Sequence, residues 1–175
     1  MKDSKSSSKP YTKTKYIFDL DLTLYSEKDF KDTENEKEYY ESFKPKHLLA
    51  DLLKILSGSK FILTNANIPH ARDVLAKLEL HDIFSDIIAS DIAGDQYKPS
   101  PTIYHIANHE FKVRDTDDVY FFEDSIENIR AGKKTYNWKG VLIDPRRSRK
   151  PKSVDFMFKT IEDAIIFFIA KQKFD

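Results

Sequence analysis

Five short apolar runs, each ending abruptly in polar or acidic residues, constrain most strongly what this chain can fold into. Tyr16-Ile17-Phe18 stops at Asp19, and Phe61-Ile62-Leu63 at Thr64-Asn65. Ile87-Ile88-Ala89 stops at Ser90-Asp91, Val119-Tyr120-Phe121-Phe122 at Glu123-Asp124, and Val141-Leu142-Ile143 at Asp144-Pro145. A strand with one wet face alternates apolar and polar residues. A continuous apolar run suits a strand covered on both faces, as in parallel sheets sandwiched by helices. A sixth, weaker run is Phe156-Met157-Phe158.

Helical patterns fill the intervals. Leu48, Leu49, Leu52, Leu53, Ile55 and Leu56 recur at helical spacing after Pro45, and Gly58 supplies a stop. Pro69 opens a second helix with Val74, Leu75, Leu78 and Leu80 as its apolar stripe. Pro101 opens a third, with Ile103, Ile106, Ala107 and Phe111. Ser125 and Thr160 are caps for two more; Ile126, Ile129 and Ala131 face inward in one, and Ile161, Ala164, Ile165 and Phe168 in the other. This alternation predicts a three-layer, Rossmann-like α/β fold with a mostly parallel sheet. A length of 175 residues, 40% of them hydrophobic, fits one domain, expected over residues 15–175. In such folds the chemistry gathers beyond the carboxyl ends of the strands. The polar residues that close the apolar runs are therefore the candidate site.

Two segments fall outside the alternation. Residues 1–14 are rich in Ser and Lys and read as a solvated, disordered tail, or as a basic targeting or docking arm. Residues 27–44 are highly charged, without glycine or proline, and carry Phe30, Tyr39, Tyr40 and Phe43. They read either as a surface loop with a short exposed helix or as a flap over the strand ends with its aromatics underneath. The expectation is a mobile flap that covers the site partly.

Composition excludes whole classes of chemistry. The chain has no cysteine, which removes thiol nucleophiles, disulfides, thiolate zinc sites and iron–sulfur clusters. Basic and acidic residues number 29 each, so the net charge is zero and a general nucleic-acid coat is disfavoured. The one dense basic run, Arg146 to Lys152, is a solvated loop or a docking patch for a phosphorylated or nucleic-acid partner. No apolar run approaches the roughly 18 residues of a membrane span. The N-terminus has no apolar signal segment. The expectation is a cytoplasmic protein without membrane contact.

Asp19-Leu20-Asp21-Leu22-Thr23 places two carboxylates two residues apart at a strand end, aimed into one pocket. Thr64-Asn65 adds a hydroxyl and backbone N–H groups at the next strand end. Lys98 lies in a stiff Tyr97-Lys98-Pro99-Ser100-Pro101 loop, and Glu123-Asp124-Ser125-Ile126-Glu127-Asn128 supplies a second acidic cluster. A nucleophilic carboxylate, an anion-binding hydroxyl, a cation and further acids thus follow one another in chain order. Hard carboxylate oxygens suit Mg²⁺, which keeps several waters and shares substrate phosphate oxygens.

In that order and spacing the four elements resemble the motifs of the haloacid dehalogenase (HAD) superfamily of phosphohydrolases, over roughly residues 16–163. The resemblance implies that Asp19 is the nucleophile, forming an aspartyl-phosphate. Asp21 then serves as acid toward the leaving group and as base toward water. Asp19, the backbone carbonyl of Asp21, and Asp124 hold Mg²⁺. Thr64 and the Asn65 N–H hold phosphoryl oxygens, and Lys98 screens Asp19 and binds the phosphate. Glu123 and Asn128 act around these ligands or through a metal-bound water. Glu123 stands where many relatives have Gly or Asp, which leaves the outer ligand set open.

An acid at Asp21 favours phosphatase over dehalogenase chemistry, because a departing halide needs no proton. Phe18 to Tyr25, Thr64-Asn65-Ala66 and Phe121 to Asn128 look most like the pyrimidine 5′-nucleotidase branch. That branch carries a helical cap for which this chain has room only for a flap. Its length and Phe121-Phe122-Glu123-Asp124 element also resemble capless magnesium-dependent phosphatases. The expected partner is a phosphorylated small molecule or macromolecule at an open site, with an oligomer able to roof it. A catalytically silent binding module is the other reading, against which the intact acid, hydroxyl and lysine set argues. All five histidines read as ordinary helix residues.

Overall fold

The computed structural model describes residues 13–94 and 96–174. The elements run β1 (Thr14–Phe18), α1 (Glu36–Ser42), α2 (His47–Ile55), β2 (Ser59–Leu63), α3 (Ile68–Lys77), β3 (Asp86–Ile88), α4 (Pro101–Glu110), β4 (Asp118–Glu123), α5 (Ile126–Tyr136), β5 (Lys139–Ile143), β6 (Phe156–Phe158) and α6 (Ile161–Phe174). All six apolar runs are strands, including the weak Phe156–Phe158 run. Residues 1–12 of the expected tail lie outside the described residues. Its boundary shifts, because Thr14 already belongs to β1 and the Lys13 carbonyl accepts from the Asp118 N–H.

The sheet order is β3-β2-β1-β4-β5-β6, and every pairing is parallel, so "mostly parallel" becomes fully parallel. The order reverses between β1, which pairs with both β2 and β4, and its neighbours. Such a switch point opens a crevice beyond the strand ends. Phe18 pairs in register with Ile62 on one side and Phe122 on the other. The next residues along these strands, Asp19, Leu63-Thr64 and Glu123-Asp124, therefore emerge side by side.

Strand residues alternate between two cores, as the pleat requires. Tyr16, Phe18, Ile62, Tyr120 and Phe122 pack with α2, α3 and α6. Ile17, Phe61, Leu63, Val119 and Phe121 pack with α4 and Trp138. A smaller cluster of Ile129, Leu142 and Val154 seats α5. Each fully buried large side chain contributes about 1.5–3 kcal/mol, so the sheet is held rigidly under its polar rim.

The helix starts follow the local rules. Asn67 caps α3 by accepting from the His70 N–H, Ser125 caps α5 by accepting from the Asn128 N–H, and Thr160 Oγ1 accepts from the Asp163 N–H. Prolines occupy the first turns of α3 and α4. Residues 27–44 contain α1, which buries none of its residues, yet the aromatics of the segment face inward. Phe43 is buried, Phe30 and Phe43 meet the buried Tyr25 and each other, and Tyr39 packs on both, at ring centroid distances of 5.0 to 5.6 Å. The segment is thus anchored to the core by an aromatic cluster that begins four residues after Asp21.

Candidate active site

Asp19 leaves β1 with its backbone N–H donating to the Phe122 carbonyl, which ties it to β4. Its carboxylate is nearly buried and fully engaged. Oδ1 accepts from Lys98 Nζ at 2.6 Å, and Oδ2 accepts from Thr23 Oγ1 at 2.9 Å. Lys98 Nζ also donates to Glu123 Oε1 at 2.7 Å and lies 5.6 Å from the Phe121 ring centroid. Glu123 accepts in addition from Asn128 Nδ2 at 2.7 Å and the Ser125 N–H at 2.8 Å. Its oxygens are therefore committed to Lys98, Asn128 and the α5 cap, and Glu123 orients the lysine.

Asn65 has a role that its position in the sequence did not disclose. Its side chain accepts from the Lys98 N–H at 2.7 Å and donates to the Lys98 carbonyl at 3.0 Å, so it clamps the lysine loop. Thr64 is buried, and its Oγ1 accepts from the Ala66 N–H at 3.1 Å, which leaves its own proton free to donate outward.

Asp21 lies beside this cluster on a bend where Leu22 adopts a left-handed conformation (φ 60°). That conformation costs a non-glycine residue about 1–2 kcal/mol, and it sits next to the expected acid. Asp21 Oδ1 accepts from Tyr25 OH at 2.6 Å and pairs with His70 Nε2 at 2.8 Å. His70 Nδ1 in turn meets Tyr40 OH at 2.9 Å. His70 is thus not an ordinary helix residue. It reaches Asp21 from the first turn of α3, the helix that opens directly after the Thr64-Asn65 strand end. The other histidines lie away from this array, His47 pairing with Glu79, His81 with Asp82, His105 with Tyr136 and His109 with Glu110.

Burial, with Glu123 nearby, pushes the Asp19 pKa up against the opposing pull of Lys98. Burial likewise raises Glu123. Desolvation and the facing Asp19 carboxylate raise Asp124. Burial pulls Lys98 down, but Asp19 and Glu123 outweigh it and keep the ammonium charged. Asp21 differs: burial raises its pKa, yet the hydrogen bonds from His70 and Tyr25 prevail and lower it.

Asp19, Glu123 and Asp124 each bring one carboxylate oxygen within 4.8 Å of the others. Three carboxylates face one bonded cation, Lys98, a local excess of two negative charges that a divalent ion matches. The donors are hard oxygens, so the set fits Mg²⁺. Beside Asp124 opens a cavity of about 940 Å³ lined by Thr23, Tyr25, Asp124, Ile143, Arg146 and Ile161, among others. The basic run lies at its edge. Arg146 and Arg147 donate backbone N–H groups to Asp144, Arg146 also pairs with Glu27, and Lys150 donates to the Val154 carbonyl.

A family model of haloacid dehalogenase-like hydrolases matches residues 14–134. The chain belongs to this family. Solved structures agree at the level of fold. A Bacillus subtilis protein described as a HAD-hydrolase bound to magnesium aligns with a TM-score of 0.63 and 12% identity, over 90% of this chain and 99% of its own. The core domain of a Streptococcus pneumoniae protein described as a phosphoglycolate phosphatase gives 0.58 and 18%, over 90% and 96%. The L-2-haloacid dehalogenase of Xanthobacter autotrophicus, with chloropropionic acid covalently bound, gives 0.60 and 18%, over 73% and 62%. In this alignment and two further dehalogenase alignments the chain spans 53% to 62% of the matched protein. Among the described residues no helix is long and apolar enough to cross a membrane.

Proposed function

We propose that the protein is a Mg²⁺-dependent phosphomonoester hydrolase that works through an aspartyl-phosphate on Asp19. The observation that carries the reading is the buried Asp19–Lys98–Glu123 unit with Asp124 converging on it. A family of hydrolases supplies the class, and the site supplies the chemistry. Lys98, the Thr64 hydroxyl and the Asn65 N–H receive the phosphoryl oxygens. Asp19 attacks phosphorus as the bond to the leaving oxygen breaks, and Asp21 gives that oxygen its proton. Asp21, now a carboxylate, then takes a proton from the water that attacks phosphorus. Inorganic phosphate leaves and the Asp19 carboxylate is regenerated. Asp19, Asp124 and the Asp21 carbonyl would hold Mg²⁺, which when bound supplies positive charge against the phosphoryl oxygens.

Asp21 separates this reading from dehalogenase chemistry, since proton donation serves an oxygen leaving group and not a halide. The cavity that opens beside Thr23 and Asp124 is in keeping with an open site that takes small phosphates and phosphorylated macromolecules. The test is hydrolysis of an aryl phosphate with and without Mg²⁺ by the native chain and Asp19→Asn, followed by a panel of nucleotides, sugar phosphates and phosphopeptides. Metal-dependent turnover lost in Asp19→Asn is expected. Strong selection of one small nucleotide would replace the open-site reading with a nucleotidase, and turnover by none would leave a binding module.

A further inference from the structure

Asp21 is part-exposed, with 38% of its side chain open to solvent, and a carboxyl group in that position is free to rotate unless something holds it. Two donors from different segments meet one of its oxygens, Tyr25 OH from four residues along and His70 Nε2 from α3. His70 is itself held on three sides. Its N–H is taken by the Asn67 cap, its Nδ1 by Tyr40 OH, and its ring lies 6.4 Å from Tyr39 at an interplanar angle of 26°.

The proton positions follow from the partners. Oδ1 accepts whether Asp21 is ionised or carries a proton on its other oxygen. Nε2 therefore bears the ring hydrogen. With the ring hydrogen on Nε2, Nδ1 is an acceptor, and Tyr40 OH donates to it. Both hydrogen bonds fall on Oδ1, which leaves Oδ2 as the oxygen able to carry a transferable proton.

We propose that His70 is a positioning residue for leaving-group protonation: its Nε2–H holds Oδ1 of Asp21 so that Oδ2 faces the leaving oxygen, with Tyr40 fixing the ring tautomer. The inference rests on the phosphatase reading above. It also makes residues 27–44 a working part of the site, because Tyr40 belongs to α1 in that segment. The positioning matters because general acid catalysis depends on hydrogen-bond reach and alignment.

The test compares kcat/KM for a series of aryl and alkyl phosphates spanning a wide range of leaving-group basicity, in the presence of Mg²⁺. The variants are His70→Ala, His70→Asn, His70→Gln, Tyr40→Phe and Asp19→Asn. A Gln amide can place its NH₂ near the position of Nε2, whereas Asn cannot reach Asp21 and keeps only the polarity. His70→Ala and His70→Asn should lose about 10- to 100-fold on alkyl phosphates, part of the full general-acid effect, and far less on activated aryl phosphates. His70→Gln should restore most of the loss, and Tyr40→Phe should fall between. Equal losses across the series, or a folded Gln variant no better than Asn, would overturn the role of His70. Melting temperature identifies a variant that fails to fold, and the Gln–Asn comparison then decides without Ala. If Asp19→Asn retains turnover, the phosphatase reading itself fails. If Asp19→Asn is inactive while His70→Asn matches the native chain, only the positioning role fails.

Discussion

Lys98→Met would keep the aliphatic stem and remove the charge from the centre of the site. The lysine side chain is 1% exposed, and its two carboxylate partners, Asp19 and Glu123, are 9% and 0% exposed. Removing one member of a buried ion pair typically costs about 3–5 kcal/mol, because the remaining charge is left without compensation. The protein has an escape: one orphaned carboxylate can take up a proton. That escape costs about 1.4 kcal/mol for each pH unit above the unfolded carboxylate pKa of about 4, so about 4–5 kcal/mol near pH 7.5 and about 1–2 near pH 5. The direction follows from the raised folded-state pKa values. Stability is fully present below the unfolded pKa and is lost as pH rises through the folded one. Urea unfolding at both pH values, without metal, reads the difference directly. A penalty at pH 7.5 that is several-fold larger than at pH 5 is expected. A penalty below about 1 kcal/mol at pH 7.5, a typical value for a surface pair, would refute the buried-unit argument.

Mg²⁺ should raise the melting temperature of the native chain, and by more near pH 8 than near pH 5, because Asp19 and Asp124 have raised pKa values and the ion binds their ionised forms; calorimetry at the two pH values checks this. Asp21→Asn should lose about 10²–10⁴-fold in kcat/KM on alkyl phosphates and less on aryl phosphates; an equal loss on both would remove it as leaving-group acid. Gly140→Ala would place a Cβ 2.2 Å from Ile129 Cγ2, between β5 and α5, and should destabilise by about 1–3 kcal/mol in urea titrations while leaving Mg²⁺ affinity unchanged.

The sheet was legible because its strands are covered on both faces, which writes them as unbroken apolar runs such as Val119 to Phe122. Asp19, Thr64 and Glu123-Asp124 were legible because a parallel sheet delivers its strand ends to one edge, so chain order becomes spatial order, and Lys98 stood out in the proline-stiffened loop between β3 and α4. The His70–Asp21 contact was not legible. It joins residues 49 positions apart, and nothing in a helical stripe tells which first-turn side chain meets a carboxylate. The packing of residues 27–44 was obscured by their charge. Phe30 and Phe43 find a partner in Tyr25, Tyr39 packs on them, and that cluster exists only once β1 and its exit bend are in place. The Asn65 clamp on Lys98 was hidden for a similar reason, since it acts through backbone atoms of a distant loop.

The most direct test of the account is to look for the covalent phosphoryl group. The native chain is mixed with an activated aryl phosphate and Mg²⁺, quenched in acid within the first turnover, digested and analysed by mass spectrometry. A phosphoryl adduct on the peptide that contains Asp19 is expected, with no adduct and no turnover in Asp19→Asn. Release of phosphate at full rate by Asp19→Asn, or an adduct on any other residue, would contradict it.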